Sequence, residues 1–399
     1  MKLKAALLLS AAVLAAPSAQ AQTAAAPAGD PIKFGFITEL SGPWSFFGTS
    51  CTAGLRLAEK EVNAAGGALG RPLQFNVVDN QTNPAQAAAA IRSADVQDRV
   101  LAVSGTTSSD VALAEYGYAE QNKLPFLVPV AAFPQLTKPG TRYTFRIEPS
   151  AVGWGYSIAK YIEQAKPGAK VVFLYSDFAL MRAIAAGLGY QAPKSGLKML
   201  PDIVFPQGSN DATVQAAQVV AADPDYVVVA GAGGFDNTIT NQLLELGIDP
   251  GKIIHPYGIT TQIAGWGQKS VGSVFGTFFD HDLPALPPEG RKFVADMTGE
   301  LGRPPSYTEN FCYAVPYIFR QALQDAGQVD REKFRDALSA LKMKDPSSGV
   351  PIEFDRNGAR KEFIYFMRID GVSAKDYKAT QVYYSEWDPE VIPVYTLVK

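Results

Sequence analysis

The sequence predicts an α/β protein of two Rossmann-like lobes, and three observations carry that expectation. Strand-sized apolar runs alternate with segments of helical period from Ile32 onward, which is how a parallel sheet covered by helices on both faces reads. The alternation completes one unit, breaks at Phe145-Arg146-Ile147-Glu148-Pro149, and restarts as a second unit of the same kind. At 399 residues the chain has the length for two cores, because single domains of about 100–200 residues are the rule.

The elements follow in order. Lys2 and Lys4 precede a run from Ala5 to Ala16 that is apolar except for Ser10, and Ala19-Gln20-Ala21 supplies the small-x-small triplet that a signal peptidase reads. A charged flank, a short apolar core and that triplet predict a signal peptide over 1–21, cleaved after Ala21. The Ala/Pro/Gly-rich stretch 22–30 is expected to be a flexible leader.

Strands are expected at Ile32 to Thr38, Leu73 to Asp79, Val100 to Gly105 and Pro125 to Val130, separated by helices near Gly48 to Ala65, Pro84 to Gln97 and Ser109 to Gln121. A second set of strands is expected at Lys170 to Tyr175, Met199 to Phe205, Tyr226 to Gly231, Ile253 to Tyr257 and Val274 to Phe279. Three helical stretches then run from Glu289 to Leu301, Glu309 to Ala326 and Asp330 to Leu341, before extended pieces at Ile352 to Asp355, Phe363 to Ile369 and Gln381 to Ser385. Late helices with no new sheet to cover fit best on the first lobe, with the last strands crossing back to the second. This places lobe 1 at 31–146 plus 280–350 and lobe 2 at 147–279 plus 351–399, with crossings near Arg146, Phe279 and Pro351. A hinge of several strands suits bending of the lobes more than independent tumbling.

Composition removes several classes of function. A formal charge of −3 without a basic cluster gives no reason to expect nucleic acid or an acidic membrane as partner. Downstream of the leader no run reaches the roughly 18–20 apolar residues of a membrane helix, so the mature protein is expected to be soluble. Two histidines, His255 and His281, without a ligand-spaced cluster leave no metal site expected. No cofactor is expected either. The strand ending at Ala230 leads into Gly231-Ala232-Gly233-Gly234, but Asp236 stands where the third glycine of a dinucleotide loop belongs. Phosphate-binding loops, nucleophile elbows and zinc-protease motifs are absent from the sequence. Asp79, Glu39 and Asp177 lie near strand ends, where solvated or capping roles outweigh acid–base chemistry in a chain lacking a histidine base. Cys51 and Cys312 are the only cysteines. Export would permit a bridge, and cysteine is also a common buried apolar residue, so a disulfide and two thiols both stay open.

The segment Glu61-Val62-Asn63-Ala64-Ala65-Gly66-Gly67-Ala68-Leu69-Gly70-Arg71-Pro72-Leu73 reads as a helix ending in a glycine pair, a tight turn and the next strand. Together with Leu40-Ser41-Gly42-Pro43, Asp79-Asn80-Gln81-Thr82-Asn83-Pro84, Gly105 to Ser109 and Phe145-Arg146, in that order, it resembles the Leu/Ile/Val-binding family of type I periplasmic solute-binding proteins over about Ile32 to Asp355. The resemblance implies a non-catalytic periplasmic receptor, expected as a monomer. It would close its cleft on a small solute and deliver it to the membrane permease subunits of an ABC importer.

The resemblance also assigns site residues. Ser109 aligns with the serine that holds the ligand's carboxylate, with Ser108 and Thr107 beside it, on a turn whose hydroxyls and helix N–H groups suit an anion. Phe47 keeps the family's aromatic wall, and Trp44, Phe46, Phe133 and Phe178 are expected in loops facing the same cleft. Gly233 and Tyr257 are expected on the second lobe's rim. Two positions depart from the family. Ala132 stands where amino-acid binders carry a threonine for the ligand's ammonium, and Leu180 stands in place of a tyrosine. The expected ligand is therefore a carboxylate without a required ammonium, an aromatic or short organic acid. A branched-chain or other neutral amino acid or amide is the alternative. A ligand-sensing subunit of a membrane receptor and a periplasmic hydrolase are alternatives of other classes.

Overall fold

The computed structural model describes residues 28–206, 209, 211–231, 234–387 and 392–398. The signal-peptide expectation, its cleavage point and Gly233 lie outside those residues. The first sheet holds β1 (Ile32–Thr38), β2 (Leu73–Asp79), β3 (Val103–Gly105), β4 (Phe126–Val128) and β5 (Thr144–Arg146), all parallel, in the order β2-β1-β3-β4-β5. Its crossovers are α1 (Ser45–Ala64), α2 (Pro84–Val96) and α3 (Ser109–Gln121). Asn83 caps α2, its side chain accepting from the amides of Ala85 and Gln86, with Pro84 in the first turn where a missing N–H costs nothing.

The second lobe begins with α4 (Ala151–Ala165) and continues through β6 (Lys170–Ser176), α5 (Ala179–Gln191), β7 (Lys198–Met199), β8 (Ile203–Phe205), α6 (Thr213–Ala222), β9 (Tyr226–Ala230), α7 (Gly234–Glu245), β10 (Ile253–His255), α8 (Thr260–Trp266) and β11 (Val274–Thr277). The strand expected from Met199 to Phe205 is two strands, both paired with β6. They part at Leu200-Pro201-Asp202 because proline has no N–H to give a ladder.

Helices α9 (Pro288–Leu301), α10 (Tyr307–Ala326) and α11 (Arg331–Ser339) then return to the first lobe, where α10 lies along α1. Their approach is close. A Cβ on Gly54 of α1 would sit 2.2 Å from the Glu309 carbonyl oxygen, and one turn away on each helix Cys51 and Cys312 form a disulfide with Cα atoms 5.1 Å apart. The piece expected at Ile352 to Asp355 does not join the large sheet. It is β13 (Pro351–Glu353), paired in a small hairpin with β12 (Lys342–Lys344). The long antiparallel strands β14 (Glu362–Val372) and β15 (Tyr377–Trp387) complete the second sheet, of order β15-β14-β11-β10-β9-β6-β7.

Three segments thus pass between the sheets, after β5, after β11 and before β14. The first and third run side by side: the Arg146 amide donates to the Gly358 carbonyl (2.8 Å) and the Arg360 amide to the Arg146 carbonyl (3.1 Å). Arg146 and Glu362, each 1% exposed, form an ion pair of 3.0 Å across them. Residues 392–398 also return to the first lobe, where the Gln135 side-chain amide donates to the carbonyls of Tyr395 and Val398. Among the described residues no helix is long and apolar enough to cross a membrane.

Candidate ligand-binding cleft

The serine turn is built by the end of β3. Gly105 has φ +106°, and a Cβ there would lie 2.3 Å from the Ile37 carbonyl oxygen of β1. Only glycine allows so close a pass. Thr106, with φ 64°, then swings the chain into α3, whose N-cap is Ser108. Thr106 is held by its hydroxyl, which lies 2.9 Å from the Ile37 carbonyl and 2.5 Å from the Glu115 carboxyl; it has one proton to give, and Glu115, which burial pushes well above its ordinary range, can supply the other.

Two of the donors expected at this turn face an internal carboxylate. Glu39, the first residue after β1 and fully buried, accepts from the Thr107 amide (2.9 Å), the Thr107 hydroxyl (2.7 Å), the Ser108 amide (3.2 Å) and the Asn80 side chain (3.3 Å). Glu39 therefore caps the turn from behind. The hydroxyl of Ser109 is buried and makes no protein hydrogen bond. Together with the first-turn N–H groups of α3, which no helix satisfies internally, it is the part of the turn that can meet an anion.

Aromatic rings from both lobes converge. Trp44 stacks on Phe47 with centroids 5.1 Å apart, and Phe47 lies 5.9 Å from Tyr257 of the second lobe. Trp44 also meets the second lobe's Phe178 edge-on at 5.8 Å. Phe46, expected in a loop, lies instead in the first turn of α1 against Phe47. The helix starts three residues earlier than the expected Gly48, and Gly48 itself rests on the backbone of Glu39, where a Cβ would be 2.0 Å from the carbonyl oxygen. Ala132, Phe133 and Leu180 are all buried, and the Ala132 carbonyl accepts from the first amide of α4. Trp154, which no motif in the sequence marks, packs on Tyr257 at 6.2 Å and on Phe278 at 5.1 Å.

The Tyr257 hydroxyl donates to the Gly231 carbonyl (2.6 Å), and Asp236 accepts from the Gly231 amide and the Trp266 indole, each at 3.1 Å. Asp236 thus ties Gly231, at the end of β9, to Trp266 of α8, which is the use of a carboxylate where a dinucleotide loop would have its third glycine. Burial pushes its carboxyl up to about 7, opposed by those two bonds. His255 stacks on Trp266 at 3.7 Å, and burial pushes its imidazole down to about 3. Asp280, His281 and Asp282, at the second crossing, bring potential ligand atoms within 4.8 Å of one another. Their carboxylates already accept from the Tyr377 hydroxyl, the Ala379 amide and Lys378.

The lobes touch at the rim. Asp110 of α3 accepts from the Ala179 amide at the start of α5 (3.2 Å), and the Thr260 hydroxyl donates to the Pro304 carbonyl (3.0 Å). Two sheets are thus joined by three crossings, with a turn of donors and a set of rings buried between them. A family model described as periplasmic binding protein matches residues 31–376.

The chain belongs to the periplasmic binding protein family. Among its relatives, a leucine-, isoleucine-, valine-, threonine- and alanine-binding protein of Pseudomonas aeruginosa is 22% identical over 340 residues, 84% of this chain and 89% of that one. A leucine-binding protein of Thermotoga maritima superposes with a TM-score of 0.79 at 22% identity, covering 90% of this chain and 100% of that one. An ABC-transporter solute-binding protein of Rhodopseudomonas palustris, in complex with 3,4-dihydroxybenzoic acid, superposes with a TM-score of 0.81 at 20% identity, covering 90% and 99%. The resemblance to Leu/Ile/Val-binding proteins and the two-lobed fold stand on these matches. The relatives are binding proteins and not enzymes.

Proposed function

We propose that this periplasmic binding protein captures a small carboxylate, an aromatic or short organic acid, and presents it to the permease subunits of an ABC importer. The observation that carries the reading is the buried, partnerless Ser109 hydroxyl at the start of α3, beside rings that close from both lobes. An anion at a helix N-terminus gains from the free N–H groups and the helix dipole. Flat apolar surface on Trp44, Phe47, Phe178 and Tyr257 suits a planar ligand. Ala132 offers only a methyl group and a carbonyl already bonded to Ala151, so no hydroxyl at that position receives an ammonium.

The two kinds of ligand in the relatives' names divide the same way, into neutral amino acids and a dihydroxybenzoic acid. Ligand binding shifts the open–closed balance through contacts that exist only when the lobes meet, and the closed form is what a permease would read. The protein works in the periplasm after loss of residues 1–21, as a monomer. Calorimetric titration against benzoate-type acids and branched-chain amino acids tests the reading. Binding of the acids with silent leucine is expected, and tight leucine binding with silent aromatic acids would overturn it. Co-purification with permease subunits, and not with a signalling receptor, is expected when membranes are solubilised.

A further inference from the structure

The first crossing carries a second polar group that the reading above leaves unused. Glu148 is 1% exposed, and neither of its carboxyl oxygens has a hydrogen-bond partner. It stands in the segment between β5 and α4, the first crossing, and so lies between the lobes, where its charge would be felt by Tyr257 of the second lobe and by Tyr307 at the start of α10 in the first. Those two tyrosines border the same rings as the cleft: Tyr257 packs on Phe47 and Trp154, and Tyr307 on Phe278.

The cation nearest in the chain is already engaged. Arg146 pairs with Glu362 and donates to the backbone carbonyl of Glu148, not to its carboxylate. One buried cation facing two buried carboxyls balances only one of them. An unpaired buried charge is costly enough that the group takes up a proton instead. Burial accordingly pushes the Glu148 carboxyl well above its ordinary range, with Arg146 opposing. A neutral carboxylic acid offers one donor and one acceptor. A hydroxyl offers the same two functions and can satisfy both at once. An ammonium, with donors only, would require Glu148 to ionise.

We propose that Glu148 is a specificity-determining residue of the cleft, its carboxyl exchanging hydrogen bonds with a hydroxyl on the bound acid. The preferred ligands are then hydroxylated aromatic acids. This rests on the ligand being an acid, and the experiment separates the two. Benzoate, 4-hydroxybenzoate and leucine are titrated calorimetrically into the full mature protein, its Glu148→Gln variant and its Glu148→Leu variant, with thermal melts as the folding control. The wild type is expected to prefer 4-hydroxybenzoate over benzoate about tenfold, the worth of a reciprocal pair of neutral hydrogen bonds. Glu148→Leu is expected to bring that ratio to about one while benzoate affinity holds, and Glu148→Gln, which keeps a donor and an acceptor, to retain most of it.

A ratio near one in the wild type, or an unchanged ratio in Glu148→Leu, overturns the assignment of Glu148 and leaves the acid-binding reading intact. Binding of neither acid overturns both. Leucine binding that is lost in Glu148→Gln overturns the hydroxyl in favour of an ammonium. Should Glu148→Leu fail to fold, wild-type titrations of 4-hydroxybenzoate near pH 7 in two buffers of different ionisation heat decide the matter. No net proton exchange is expected, and release of about one proton would mean that Glu148 ionises among Arg146, Glu362, Tyr257 and Tyr307.

Discussion

Replacing Glu39 by alanine is expected to destabilise the first lobe more than any exposed carboxylate could, although Glu39 contacts no partner lobe. Its carboxylate closes the turn between β3 and α3 through the Thr107 amide, the Thr107 hydroxyl and the Ser108 amide at 2.7–3.2 Å. A hydrogen bond to a charged group contributes about 1.5–3 kcal/mol, and a buried N–H stripped of its acceptor costs about 1–3 kcal/mol. These overlap, since they describe the same contacts, and water entering the space offsets part of the loss. The expected cost is about 3–5 kcal/mol. Urea denaturation of wild type and Glu39→Ala, followed by tryptophan fluorescence, reads it as a shift of midpoint at constant slope. Because the alanine leaves two amides facing a carboxylate-sized space, added formate is expected to raise the variant's melting temperature more than the wild type's. A loss below about 1 kcal/mol, or an equal response to formate, would refute the capping role.

Ser109→Ala is expected to weaken carboxylate binding by about 1–3 kcal/mol with little change in melting temperature, because the hydroxyl has no partner to lose in the protein; calorimetry showing unchanged affinity would place the anion elsewhere. Asp236 makes stability depend on pH. Burial holds its carboxyl at about 7 in the folded protein, above the ordinary 3.8, so its contribution is full below about 3.8 and is lost as pH rises through 7, by about 4 kcal/mol in all. Denaturation of Asp236→Asn across pH 4–8 is expected to lack that loss, and curves parallel to wild type would refute it. Removing the bridge with Cys51→Ala and Cys312→Ala together is expected to cost about 2–5 kcal/mol, since it closes a loop with a sequence separation of 261; an unchanged urea midpoint would show that α1 and α10 hold without it.

Where an element's limits are set by its own residues, they were legible. The strands Ile32–Thr38 and Leu73–Asp79 and the helix Ser109–Gln121 stand where alternation and turn chemistry put them. Limits set by a distant neighbour were not legible. α1 seats Gly48 on the Glu39 backbone, a contact no sequence pattern marks, and Trp44, its N-cap, makes no capping bond that would mark its start. The candidate cleft divides in the same way. Trp44, Phe47, Phe178 and Tyr257 come together because loops at the ends of parallel strands converge at one side of each sheet. Glu39 read as an ordinary strand-end carboxylate because its burial rests on donors 68 residues away at Thr107. Glu148 gave no signal at all, since only the path of the crossing buries it.

The crossings between the lobes are bound more firmly than the rim is. The first and third crossings share one short rung at Arg146, and a Cβ on Gly358 would lie 2.2 Å from the Thr144 carbonyl oxygen, so glycine is what lets the third crossing seat on β5. The Arg146–Glu362 pair, buried from water, joins the same two segments. The crossings are therefore covalently continuous, hydrogen-bonded to each other and joined by a buried ion pair. On the binding reading proposed above, closure gains contacts such as the Asp110–Ala179 and Thr260–Pro304 bonds, the Asp110–Arg182 pair at 3.9 Å and the Trp44–Phe178 and Phe47–Tyr257 ring contacts. Rim contacts of this kind contribute about 1 kcal/mol each, a bias that a ligand touching both lobes can outweigh. Under that reading, firmly joined crossings with a weakly held rim leave the ligand as the term that decides which state prevails.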